Sequence, residues 1–152
     1  MFSQAAVNFN AFKAIWVPLV AWFFAQLFKV IIHLINDKQL DLSYMYSPGG
    51  MPSAHAALMT ALATTMGLLY GFDSPYFAIA LAVAFVVMYD AAGVRRTVGY
   101  QSTVLNKMLD ELFKGKKEFS QRLSEIIGHS KWEVFVGAVL GMALALLFTW
   151  PW

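Results

Sequence analysis

The sequence predicts an all-α integral membrane protein of about four transmembrane helices with an added amphipathic cytoplasmic segment. Three observations carry that expectation. Only 13% of the 152 residues are charged while 59% are hydrophobic, where soluble domains carry about 25% charged residues. The apolar residues gather in runs close to the roughly 20 residues that cross a hydrocarbon core as helix. Lysine and arginine crowd the loops that four spans would place on one side, as the positive-inside rule requires of a cytoplasmic face.

The elements follow in order, within a single membrane domain over 1–152. The first run, 14–35, is interrupted by Gln26, Lys29 and His33. It is too long for a signal peptide and shows no small-residue cleavage pattern before Lys29, so it is read as a span. The second, 52–70, is rich in Ala, Thr, Met and Leu, and the turn at 71–74 joins it to a third, 75–89. The third is short and spans only with little tilt or by starting in the headgroup layer. The fourth is 133–150. Between the third and fourth lies a polar insertion, about 90–132. Val104, Leu105, Met108, Leu109, Leu112 and Phe113 recur there at one-sided helical spacing. Gly115 is expected to break that helix, with a second short one over 119–127. Lys107, Lys114, Lys116 and Lys117 decorate it. Such a stretch either lies on an anionic membrane face or packs on protein.

The loop before residue 52 and the insertion hold Lys38, Arg95, Arg96, Arg122, Lys131 and the four lysines just named. The opposite side has Lys13. Both termini are therefore expected outside, with the insertion in the cytoplasm of a multi-pass cell-membrane protein. The absence of cysteine excludes a disulfide framework and thiolate chemistry. No dedicated metal-ligand cluster or nucleic-acid-binding feature is present, so neither cofactor nor nucleic acid is expected.

Polar residues suited to chemistry fall on that same cytoplasmic side. Gly49-Gly50-Met51-Pro52-Ser53-Ala54-His55 reads as a helix start, with Pro in the first turn and a serine hydroxyl nearby. A helix start offers unpaired N–H groups and the positive end of the macrodipole, an anion site beside the His55 imidazole. Lys29 lies about two turns inside the first span, where a lysine snorkels or finds an anion. Arg95-Arg96 follow a flexible Gly93 and suit bidentate phosphate binding or plain anchoring. Gly128-His129 is expected to open the fourth helix. Glu133 then falls one helical turn on, placed to hold the imidazole by one nitrogen. Along that helix Gly137, Gly141 and Ala145 form a small-residue stripe. It is expected to pack on the second helix and bring His55 and His129 into one pocket; a homodimer contact is the alternative use.

Taken together these segments resemble the type 2 phosphatidic acid phosphatase and vanadium haloperoxidase superfamily, in its divergent small-membrane-protein branch. The superfamily pattern runs Lys-x6-Arg-Pro, Pro-Ser-Gly-His, then Ser-Arg-x5-His-x3-Asp. Pro52-Ser53-Ala54-His55 matches the second block with Ala for Gly. His129 with Glu133 resembles the end of the third with Glu for Asp, and Lys29 stands for the first lysine. Asn36-Asp37 replaces Arg-Pro, and Leu123 stands where the third block has Arg, so Arg95 or Arg96 is the substitute.

The resemblance implies a lipid phosphate phosphatase acting without metal through a phosphohistidine. His129 would be the nucleophile, Glu133 its orienter and His55 the general acid. Lys29, Ser53, Arg95 and Arg96 would bind phosphate. Phosphatidic acid, phosphatidylglycerophosphate and polyprenyl phosphates all satisfy it as substrates. Two other classes stay open. One is a phosphatase-like protein that binds an anionic headgroup without turnover, which Asn36-Asp37 favours. The other is a small transporter, for which only Lys29 and His33 supply intramembrane ionisable groups.

Overall fold

A computed structural model describes residues 4–38, 40, 41, 45, 49–112, 123 and 128–150, with only the backbone for 4–10. The described residues form five α-helices: α1 (Gln4–Asp37), α2 (Ala54–Tyr70), α3 (Pro75–Ala92), α4 (Val94–Leu112) and α5 (Lys131–Thr149). The chain is an all-helical integral membrane protein. α1 from Ala11, α3 and α5 are long and apolar enough to cross a bilayer, and α2 is a shorter apolar helix of 17 residues.

Local chemistry sets the helix ends. Ser53 caps α2 rather than Pro52 opening it, and its Oγ accepts from the Ala56 amide (3.4 Å). Gly71 ends α2 at φ +96°, a backbone region that a side chain resists. Ser74 caps α3 through the Phe77 amide, with Pro75 in the first turn. This connection forces α2 and α3 antiparallel. α3 continues to Ala92, past the expected end at residue 89. Its 18 residues reach about 27 Å, which removes most of the apparent shortfall.

α2 is the hub. It packs against α5, α1 and α3, and α1 packs on α5 as well. What lets these helices approach is size. Ala54, Ala57, Ala61, Thr65 and Gly67 of α2 are buried, as are Gly137, Gly141, Ala145 and Thr149 of α5. Gly137 lies against the backbone of Ser53, and Gly141 against the Ala57 carbonyl and the Thr60 hydroxyl, so a Cβ at either would collide. Thr60 donates across the seam to the Ala138 carbonyl (3.0 Å). Lower down, Val17, Ala21, Ala61 and Ala145 form a core bordered by Trp16 and Phe148, whose rings meet edge-on at 5.4 Å. Nearer the other end, Ala25, Ala54 and Ala57 pack with Leu140.

This antiparallel order brings the C-terminal ends of α1 and α3 and the N-terminal ends of α2 and α5 together. Two backbone hydrogen bonds clasp that end. Ser53 N–H donates to the Glu133 carbonyl (3.0 Å), and His129 N–H donates to the Ala91 carbonyl (3.1 Å). α4 leaves through an elbow at Gly93 and, among the described helices, packs only on α3. It begins at Val94, ten residues before Val104, the first apolar position of the expected helix. Gly115 and the second short helix expected over 119–127 lie outside the described residues, apart from Leu123.

Candidate active site

The clasped end gathers the polar side chains. His129 is fully buried and stands just outside α5, since Ser130 is the N-cap. The fold thus differs from the expected helix opening at Gly128-His129. Ser130 and Glu133 form a capping box: the serine Oγ accepts from Glu133 N–H (3.3 Å), and Glu133 Oε2 accepts from Ser130 N–H (3.0 Å). The same Oε2 lies 3.2 Å from His129 Nδ1. One carboxylate therefore caps the helix and holds the ring, and the pair meets across a cap rather than along a helical face. His129 Nε2 is buried with no hydrogen-bond partner.

His55 is in the first turn of α2, and its ring centroid is 6.1 Å from that of His129 at 63°. Its Nδ1 is also buried and unpartnered. Lys29 is buried at 3% exposure, its stem passing beside Gly50 and its charge within reach of Glu133. Burial of an ammonium at this depth is tolerated where an anion faces it. Burial pushes the His129 imidazole below its ordinary 6.5, and the charges of Lys29 and Arg95 push the same way. The Glu133 hydrogen bond opposes them. A neutral imidazole with one nitrogen held and one free is the form able to attack an electrophile.

The two arginines diverge. Arg95 is half-exposed and its charge is felt at both histidines. Its Nε donates to Asp90 Oδ2 at 2.7 Å, leaving the terminal guanidinium nitrogens for other partners. Arg96 is exposed, and its backbone is what Gly128 packs against. Ser53 is fully buried with its Oγ accepting in the cap, so only its hydroxyl hydrogen remains to donate. His33 is drawn instead to Asp37, 2.7 Å away toward the end of α1. Among the described residues, no three carboxylate, imidazole or thiol groups gather as a metal site.

The model of the "Divergent PAP2 family" matches residues 11–144, which include every group just described. The chain belongs to that family. A relative from Bacillus subtilis (strain 168), "Uncharacterized membrane protein YuiD", is 40% identical over 143 residues, covering 87% of this chain and 90% of the relative. No solved structure matches.

Three residues of this divergent PAP2 chain gain significance only in three dimensions. Asp90 holds Arg95, and its signal was an acid closing an apolar run five residues before an arginine. Gly128 lets the segment carrying His129 lie directly on the start of α4, where a Cβ would meet the Arg95–Arg96 backbone. Gln26, one turn deeper than Lys29, is buried with its Oε1 unpartnered; its signal was an amide inside an apolar span.

Proposed function

We propose that this protein is a lipid phosphate phosphatase. It hydrolyses a phosphomonoester headgroup at the cytoplasmic membrane face through a phosphohistidine. The observation that carries this reading is the state of His129. Its Nδ1 is held by Glu133, its Nε2 is buried and free, and a second imidazole faces it across about one small group's width. Family membership supports the reaction class.

In the proposed reaction His129 Nε2 attacks phosphorus and the bond to the lipid alkoxide breaks. His55 gives its proton to that alkoxide. His55 then takes a proton from water as the water oxygen attacks the phosphohistidine, releasing inorganic phosphate and free His129. Glu133 stabilises the charge that develops on the His129 ring. Lys29, Arg95 and the Ser53 hydroxyl stabilise the phosphoryl oxygens. Arg96, exposed and turned to other uses, contributes anchoring charge.

A second reading rests on a specific observation. Where the superfamily's first block carries Arg-Pro, this chain has Asn36 and Asp37, and Asp37 is engaged with His33. A phosphatase-like protein that binds headgroups without turnover fits that loss. Both readings are separated by one experiment. Purified protein in liposomes is given phosphatidic acid, phosphatidylglycerophosphate or a polyprenyl phosphate, with and without chelator. Phosphate release that survives chelator and vanishes in His129→Ala supports catalysis. Retained headgroup binding with no release on any substrate supports the second reading.

A further inference from the structure

We propose that α4 is an interfacial helix whose apolar face lies in the headgroup–acyl boundary of the bilayer beside the elbow at Gly93. The argument begins with its three faces. At 3.6 residues per turn, Val94, Val98, Leu105 and Leu112 fall within about 40° of one another. These four residues and Met108 beside them are exposed, Leu112 at 75%. Roughly a third of a turn away lie Arg95, Gly99, Ser102 and Asn106. Of these Gly99, Ser102 and Asn106 are buried, and the Asn106 amide pairs with both main-chain groups of Leu123. Opposite the apolar stripe stands a charged face of mixed sign, Arg96, Lys107, Asp110 and Glu111, all exposed.

A helix on the surface of a soluble domain turns its apolar face inward. Here the flank against the protein is polar, and among the described residues the apolar face is left outside. Among the described residues, one flank on protein, one apolar face uncovered and a charged face opposite is the arrangement of a helix lying in a membrane surface. What identifies the occupant is continuity with the lipid-facing surface. α3 is a spanning helix with Ile79, Val83, Val86 and Tyr89 exposed. At the elbow, Tyr89 of α3 and Val94, Val98 and Gln101 of α4 line one groove. The apolar stripe of α4 therefore opens onto the same space as the exposed end of α3, and that space is filled by lipid. Arg95 in the first turn is thereby held at headgroup depth.

The inference is independent of catalysis and has its own test. The chain contains no cysteine, so single substitutions report cleanly. Val98→Cys, Leu105→Cys and Lys107→Cys are each labelled with an environment-sensitive fluorophore and reconstituted in phosphatidylcholine–phosphatidylglycerol vesicles. The vesicles carry a nitroxide high on the acyl chain. The labels at Val98 and Leu105 should emit to the blue and be quenched several-fold more than the label at Lys107. Water-like, unquenched emission at Val98 and Leu105 would overturn the proposal. Blue emission without lipid quenching, accompanied by a Leu105→Cys disulfide between two chains, would overturn it in favour of a second copy. Should Leu105→Cys fail to fold, Met108→Cys reports the same stripe and is judged by the same outcomes.

Discussion

α2 and α3 are neighbours of nearly equal length, both apolar along most of their surface, yet one is enclosed and the other lines the outside. α2 is built from Ala, Thr and Gly with a few Leu and Met, and its buried residues are almost all small. α3 carries Phe85, Val86, Ile79 and Tyr89 exposed and buries only Ala80, Ala84 and Ala91. Hydrophobicity does not separate them, because lipid tails are as apolar as a leucine core. In a bilayer, small residues mark the inside, since only they let backbones approach closely enough to gain dispersion and interhelical hydrogen bonds. The enclosed helix is also the one whose end carries His55, so close packing and the candidate chemistry share one seam.

The sharpest way to break this comparison is to place a leucine on each side of it. Gly137→Leu drives a side chain into the Ser53 backbone. The cost should lie at or above the upper end of the about 1–3 kcal/mol typical of overpacking, because backbone cannot repack. Loss of the monodisperse folded species in detergent, and of any turnover, is expected. Val86→Leu, on the exposed face of α3, should change thermal stability by less than about 0.5 kcal/mol. Equal tolerance of both substitutions would mean that size does not sort these helices.

Next comes the chemistry at the end of the seam. His129→Ala should leave the helical fold measurable by circular dichroism and abolish phosphate release, since in the proposed reaction no neighbouring group can replace the attacking nitrogen. His55→Ala should act more selectively. General-acid assistance is worth about 10²–10⁴-fold, and it matters for an alkoxide leaving group far more than for an activated aryl phosphate. The measurement is the ratio of the two rates in wild type and variant. An equal loss on both substrates would remove the proton-donor role from His55.

Much of this was legible in the chain. The helices could be placed because their runs match bilayer thickness, and His55, His129 and Glu133 because short motifs sit at helix starts on one charged side. The Gly137–Gly141–Ala145 stripe announced the seam with α2. The early start of α4 was not legible, since Arg95, Arg96 and Thr97 interrupt any apolar periodicity there. Nor was the choice between two adjacent arginines, which depends on which way each leaves the elbow. The cap at Ser130 was missed because the i, i+4 spacing of His129 and Glu133 is the same whether the histidine is inside the helix or just before it.

That choice of arginine gives the next test. Arg95→Ala removes a charge that reaches both histidines, and a hydrogen bond to a charged partner is worth about 1.5–3 kcal/mol. Because Arg95 is half-exposed, the lower end applies, roughly a tenfold rise in KM. Arg96→Ala should change KM little. Asp90→Asn should fall between them, since it frees the guanidinium without deleting it. A larger effect at Arg96 than at Arg95 would reverse the assignment drawn from the elbow.

The smallest effect is in pH, and its sign is fixed by the enclosure of His129. Burial, with Lys29 and Arg95, holds this imidazole below its ordinary 6.5 despite Glu133. The folded protein therefore resists protonation at a pH where the unfolded chain already takes a proton. Stability from this group is fully present above about 6.5 and is lost as pH falls through the lowered folded value. In the proposed reaction activity follows the same direction, because there the neutral ring is the nucleophile. The acid limb of the rate profile should lie below the pH at which a free histidine would half-protonate. Carboxylates also destabilise the fold in acid, so the useful quantity is a difference. The fall in melting temperature between pH 7 and 5 should be shallower in His129→Asn than in wild type. An unchanged slope would mean that His129 is as solvated as an exposed histidine, and that the seam of small residues does not seal the end it was inferred to enclose.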